Sequence, residues 1–137
     1  MKYWLVKSEP SVYSWDQFVH DGGTFWDGVR NYQARNNLQS MSVGDLVLYY
    51  HSNEGLAIVG IASVMREAYQ DPTTDDQRWV AVDLCPQSAL PNPVTLSMIK
   101  QESKLQSIAL LKQGRLSVVP VTAEEYDLII AMSKVTK

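Results

Sequence analysis

Three short stretches of this sequence hold unusually specific polar and aromatic side chains. They are Lys7-Ser8-Glu9-Pro10, Trp26-Asp27-Gly28-Val29-Arg30-Asn31-Tyr32-Gln33-Ala34-Arg35-Asn36 and Tyr49-Tyr50-His51-Ser52. Each falls at an expected element end, where binding and catalytic groups are commonly mounted. Ser8, His51 and an acid such as Glu9 or Asp27 supply the residue types of a hydrolytic triad. No serine sits in a Gly-x-Ser-x-Gly elbow, so a nucleotide-directed hydrolase stands only as an alternative. Neither Gly22-Gly23 nor Gly28 belongs to a phosphate-loop or dinucleotide fingerprint. His20 and His51 lack a third ligand at metal-binding spacing, so neither a metal nor another cofactor is expected. A pocket for a planar ring accounts for more of these residues. Trp26 offers a stacking surface, Gly28 a close backbone approach, Arg30 a cation for phosphate and Asn31 an amide for a base edge. The competing assignments are Trp26 as a core residue and Asn31 as a helix N-cap.

The elements that must position these residues follow from periodicity. Tyr3–Lys7 is a short apolar run suited to a buried strand. Ser14-Trp15-Asp16-Gln17 matches a capping box opening a helix that Gly22-Gly23 ends, and Asn31 to Met41 reads as a second helix with Ala34, Leu38 and Met41 on one face. Leu46–Ser52 and Leu56–Tyr69 are expected strands joined by the turn Asn53-Glu54-Gly55, with Gly60 marking a bulge or bend. Trp79–Leu84 alternates as a half-buried strand, and Pro86, Pro91 and Pro93 are expected to stop it. Short helices are expected within Thr95–Leu111. A last strand at Leu116–Val119 and a helix Tyr126–Met132, opened by the capping box Thr122-Ala123-Glu124-Glu125, complete the chain. Trp4, Trp15 and Trp79 are expected to pack in the core or against the sheet. The class is α+β: a small, strongly bent sheet or barrel with short helices around it.

Composition narrows the function classes. With 137 residues, 45% hydrophobic and 20% charged, the chain fits one globular domain and is not a disordered one. Twelve Lys and Arg against 15 Asp and Glu give a net charge of −3, which argues against binding nucleic acid by bulk charge. The acids concentrate between residues 38 and 95, seven against two basic residues. Lys100, Lys104, Lys112 and Arg115 face only Glu102 in the run that follows. That run reads either as a solvated helix face or as a phosphate-facing patch. A single cysteine, an N-terminal apolar run too short for a signal peptide, and no bilayer-length apolar stretch lead to an expected cytoplasmic, intracellular protein with no membrane partner.

The three stretches, taken with Gly44-Asp45 and Arg115-Leu116-Ser117-Val118, strongly resemble the EVE domain family of the PUA-like superfamily. That family is related to the YTH readers of methylated adenine. The resemblance runs in order along essentially the whole chain, making residues 1–137 a single EVE domain, and Gly-Val-Arg-Asn-Tyr-Gln-Ala-Arg-Asn is its most specific string. It implies a PUA-like bent mixed sheet or small β-barrel surrounded by short helices, with a pocket for a modified base. By this resemblance Trp26 is the aromatic wall of the pocket, and Lys7, Ser8 and Glu9 are its floor and rim. Gly28, Val29, Arg30 and Asn31 form the adjoining loop. Tyr50, His51 and Ser52 form the facing strand end, and Arg115 and Ser117 lie near the opening. The segment matching the tryptophan-bearing loop of YTH cages, Tyr69 to Arg78, contains no tryptophan here.

The expected function is therefore a non-catalytic reader of a modified cytosine- or adenine-type base in DNA or RNA. Trp26 stacks, Asn31, Ser8 and Glu9 address the base edge, and Arg30 or Arg115 meets phosphate. The alternative is a sensor or enzyme for a free nucleobase or nucleotide in the same pocket, because a small ligand needs no broad basic surface. In an enzyme of that kind Glu9 or His51 would be the acid–base.

Overall fold

The computed structural model describes residues 1–135. Its elements begin with β1 (Tyr3–Ser8), α1 (Trp15–Asp21), β2 (Thr24–Trp26), α2 (Tyr32–Gln39), β3 (Leu46–His51) and β4 (Ala57–Gln70). They continue with β5 (Val80–Thr95), α3 (Leu96–Gln101), a 3₁₀ turn (Ser103–Leu105), α4 (Ala109–Lys112), β6 (Val118–Val121) and α5 (Ala123–Ser133). The six strands form one mixed sheet in the order β2-β5-β4-β3-β1-β6. Only β1 and β3 pair in parallel; the other neighbours are antiparallel. The sheet bends but does not close, so β2 and β6 remain its edges.

The apolar runs of β1 and β3 are nearly continuous because both faces of the sheet centre are covered. On one face Trp4, Val6, Val47 and Tyr49 meet Phe18 of α1 and Leu38 of α2. On the other, Leu5, Leu48 and Tyr50 meet Ile99 of α3, Leu110 of α4 and Ile129 of α5. Each such side chain fully withdrawn from water contributes about 1.5–3 kcal/mol. The parallel register sets Lys7 beside Tyr50 and Ser8 beside His51. Two of the three polar stretches thus end together at one edge of the core. At the opposite end the buried Asp45 carboxylate accepts from the Lys2 N–H, the Trp4 indole and the Ser42 N–H at 3.0–3.1 Å. It ties β1 to the turn before β3.

Helix ends follow local sequence. Ser14 accepts from the Gln17 N–H, and Gly22 closes α1 at φ 75°. The box at α1 is only half formed, because the Gln17 side chain donates to Asp21 at 2.8 Å. Both halves are made between Thr122 and Glu125 of α5.

Strand β5 is longer than its prolines imply. The ladder with β4 runs to Thr95 opposite Ala57, and Pro86, Pro91 and Pro93 do not end it. Pro86 lies next to a register shift, and Pro91 and Pro93 fall in the stretch between Ala89 and Val94 that has no paired partner on β4. Those are positions where a missing N–H costs no ladder bond. Ala81 is buried along with Val80 and Val82, so this strand is covered on both faces where a half-buried one was expected. The last strand sits two residues later than expected, at Val118–Val121. No helix among the described residues is long and apolar enough to cross a membrane.

Gly60 marks a register shift, as its position in the long strand implied, and its lack of a side chain has a further cause. The Trp15 indole lies directly on its Cα, so that any Cβ there would overlap the ring. Gly60→Ala is therefore expected to lower stability by about 1–3 kcal/mol through overpacking, read as a reduced midpoint in thermal or urea unfolding. A companion Gly114→Ala change, where a Cβ meets only ordinary contact, should cost far less.

Candidate functional site

The first polar stretch, β2 and the loop after β2 enclose a cavity of about 440 Å³, within the roughly 300–1,000 Å³ range of small-molecule sites. Trp26 ends β2, pairing with Val82, and stands half-buried at its wall. Its indole meets Tyr49 edge-on at 5.6 Å between centroids and Tyr13 at 6.4 Å, so two aromatic neighbours fix its orientation. Tyr13 joins the lining through the turn Glu9–Tyr13. That turn is closed by the Glu9 carbonyl, which accepts from the Val12 and Tyr13 N–H groups. The Tyr13 carbonyl in turn accepts from the Ser8 hydroxyl at 2.9 Å and the buried Tyr49 hydroxyl at 2.7 Å. Burial pushes the Tyr49 phenol up to about 12, so it stays a donor at any physiological pH.

On the other side the loop Asp27–Asn31 is held by a residue far away in sequence. The Asp71 carboxylate has no exposed surface and accepts from the Gly28 N–H at 2.8 Å and the Arg30 guanidinium at 2.9 Å. It also accepts from the Thr73 N–H and hydroxyl. Gly28 presents its N–H from φ 76°, a left-handed conformation that glycine adopts without strain. Burial pushes the Asp71 carboxyl upward. The hydrogen bonds from Thr73, Gly28 and Arg30 outweigh it and hold the group at about 2, against an ordinary 3.8.

The folded-state value lies below the unfolded one, so the unfolded chain binds the extra proton as pH falls. The Asp71 contribution is expected to be complete above about pH 4 and to disappear as pH falls through about 2. The stability difference between wild type and Asp71→Asn, followed by thermal unfolding across that window, should stay level above it and narrow within it.

Seven of the expected site residues line this cavity: Lys7, Ser8, Trp26, Gly28, Val29, Arg30 and Ser117. Lys7 donates to the Gly114 carbonyl at 2.8 Å, and burial lowers its pKa. Six others lie elsewhere. Glu9 is exposed on the turn, and Asn31 caps α2, its side-chain oxygen accepting from the Ala34 N–H at 3.0 Å. Tyr50 and Ser52 border a neighbouring groove that shares Lys7 and also includes Lys100. His51 Nε2 accepts from the Trp15 N–H at 3.0 Å, and burial lowers its pKa although Asp16 opposes this, which suits a neutral acceptor. Arg115 is exposed in the loop before β6.

Tyr13 and Asp71 were not among the expected residues. Tyr13 had a local signal, lying just before a helix cap and after the first polar stretch. Asp71 had none. Of the two settings expected for Trp79, the core or the sheet surface, the structure excludes the core. Trp79 is half-buried at the surface beside the Tyr32 ring.

An open, bent α+β sheet of six strands with short helices around it is the architecture of the PUA-like fold. The sequence profile of the EVE domain matches residues 2–132, and the chain belongs to that family. It is 34% identical to thymocyte nuclear protein 1 of Mus musculus, over 96% of this chain and 74% of that protein. Among solved structures, a Rhodopseudomonas palustris protein determined by NMR superposes with a TM-score of 0.94. It has 51% identity and covers 100% of this chain and 96% of that one. The human THYN1 protein, crystallised with DNA containing 5-methylcytosine, superposes with a TM-score of 0.93 at 29% identity, covering 100% of both chains. A YTH domain of Zygosaccharomyces rouxii, solved with N6-methyladenosine RNA, shares the fold with a TM-score of 0.62 at 13% identity. That match covers 99% of this chain and 88% of the other.

Proposed function

We propose that this domain is a non-catalytic reader that takes a modified base of a nucleic acid, of the 5-methylcytosine type, into the Trp26 cavity. The observation that carries the proposal is the cavity itself. A tryptophan is braced by two tyrosines, and Ser8, Ser117, Lys7 and Arg30 are among the residues that line the space beside it. The human relative solved with methylated DNA supports the ligand class. The indole stacks on the base, which is worth about 1–3 kcal/mol. The polar groups of the lining address its edge, and Arg30, already fixed by Asp71, meets the adjoining phosphate. In a duplex the base must first leave the stack, at a cost of a few kcal/mol.

The experiment is a titration with 5-methylcytidine followed by the indole N–H resonances of the four tryptophans. The Trp26 resonance should shift while those of the buried Trp4 and Trp15 hold still. An unmoved Trp26 resonance at saturating nucleoside would reject the assignment. Release of a chemically altered nucleoside would turn the reader into an enzyme.

A further inference from the structure

Beside the cavity, three arginines converge on two aromatic rings. Tyr32 and Trp79 lie 5.2 Å apart between centroids. The guanidinium groups of Arg30 and Arg78 each lie 5.7 Å from the Trp79 ring, and that of Arg35 lies 5.2 Å from the Tyr32 ring. All three are pinned from the side. Arg30 is held by Asp71, and Arg78 by both oxygens of Asp76 together with the Tyr32 hydroxyl. Arg35 is held by the Asn36 side chain and the Arg78 carbonyl. An arginine held on an aromatic face keeps a planar fork of donors toward solvent and loses little side-chain freedom when an anion arrives. Arg30 and Arg78 are paired with carboxylates, whereas the partners of Arg35 are an amide oxygen and a carbonyl, which leave its charge uncompensated by a salt bridge.

We propose that Arg30, Arg35 and Arg78, mounted on Tyr32 and Trp79, form a phosphate-binding rail for the nucleic-acid backbone next to the base held in the Trp26 cavity. The proposal rests on the base-reading function above, since Arg30 belongs to both the cavity lining and the rail. It also assigns the backbone contact to a surface other than the Lys100–Arg115 run. It explains how a domain of acidic overall charge binds a strand: the attraction is local, oriented and short in range.

The test uses the full chain, a single-stranded oligonucleotide carrying one 5-methylcytosine, and 5-methylcytidine alone. Arg35 and Arg78 are outside the cavity lining and reach the surface, so Arg35→Ala/Arg78→Ala is the informative variant, with thermal unfolding to verify that it folds. Its oligonucleotide affinity should fall about tenfold at low salt. Its plot of log affinity against log salt should flatten by about 0.7 per arginine removed, and nucleoside affinity should be retained. Arg35→Lys/Arg78→Lys should restore the salt slope more fully than the affinity.

An unchanged affinity and slope in the alanine variant would overturn the rail while leaving the cavity intact. Loss of salt-dependent binding in that variant, with no wild-type preference for the methylated base, would retain the rail and remove the base reading. A wild type that binds no oligonucleotide removes both.

Discussion

Trp26→Ala is expected to weaken binding of a methylated oligonucleotide by about 5- to 150-fold, the equivalent of the 1–3 kcal/mol that stacking supplies per base. The effect should fall on affinity and spare the fold. Trp26 is only half-buried, and its neighbours Tyr49 and Tyr13 keep independent anchors. Tyr49 remains stacked on Phe18 at 5.3 Å and in edge contact with Trp15 at 5.4 Å. Tyr13 remains bonded to Asp21 at 2.7 Å. Trp26→Phe preserves a smaller ring and should recover part of the loss. Isothermal titration of the three proteins with one oligonucleotide, beside their thermal midpoints, measures this. Equal affinity for wild type and Trp26→Ala would mean that the ring does not hold the base.

The second large effect is placed on a residue that touches no ligand. Asp71→Ala removes the buried acceptor shared by Gly28, Arg30 and Thr73. It leaves their donors facing a low-polarity gap and the Arg30 cation without its partner. Breaking a buried charged pair from one side costs about 3–5 kcal/mol. The partial exposure of Arg30, 40%, brings the expected loss to the lower end of that range. Because the bonds lost are those that shape the Asp27–Asn31 loop, ligand affinity should fall along with stability. Asp71→Asn keeps one acceptor and the side-chain volume and should be milder on both counts. Urea unfolding gives the stability change, and titration of the same samples gives the affinity. A stable Asp71→Ala protein with full affinity would show that the loop holds its shape without the carboxylate.

Much of the frame was legible because it is written locally. The N-cap at Ser14 and the capping box at Thr122, the apolar runs of β1 and β3, and the helix face Ala34, Leu38 and Met41 each report on a few neighbouring residues. The failures occur where long-range pairing overrides a local rule. Prolines of β5 are accommodated because the ladder shifts register around them, which no reading of β5 alone reveals. The chemistry-bearing stretches were visible by residue type, but which of their members share a cavity depended on strand register. Lys7 and Ser8 line the cavity through β1, whereas the paired Tyr50 and His51 of β3 are turned to the second core and to the start of α1. Asp71 is 43 residues from the Gly28 N–H it accepts and has no local signature. Trp79 alternates like a strand residue, yet it supports arginines at the surface.

The most direct measurement is a paired titration of the wild-type domain with two single-stranded oligonucleotides identical except for one 5-methyl group on a cytosine, at low and at physiological salt. Burying one methyl group is worth about 0.8 kcal/mol, so the methylated strand should bind roughly fourfold more tightly, by a ratio that salt leaves unchanged while both affinities fall. Equal affinities for the two strands at both salt concentrations would contradict the central claim that the Trp26 cavity reads the modified base.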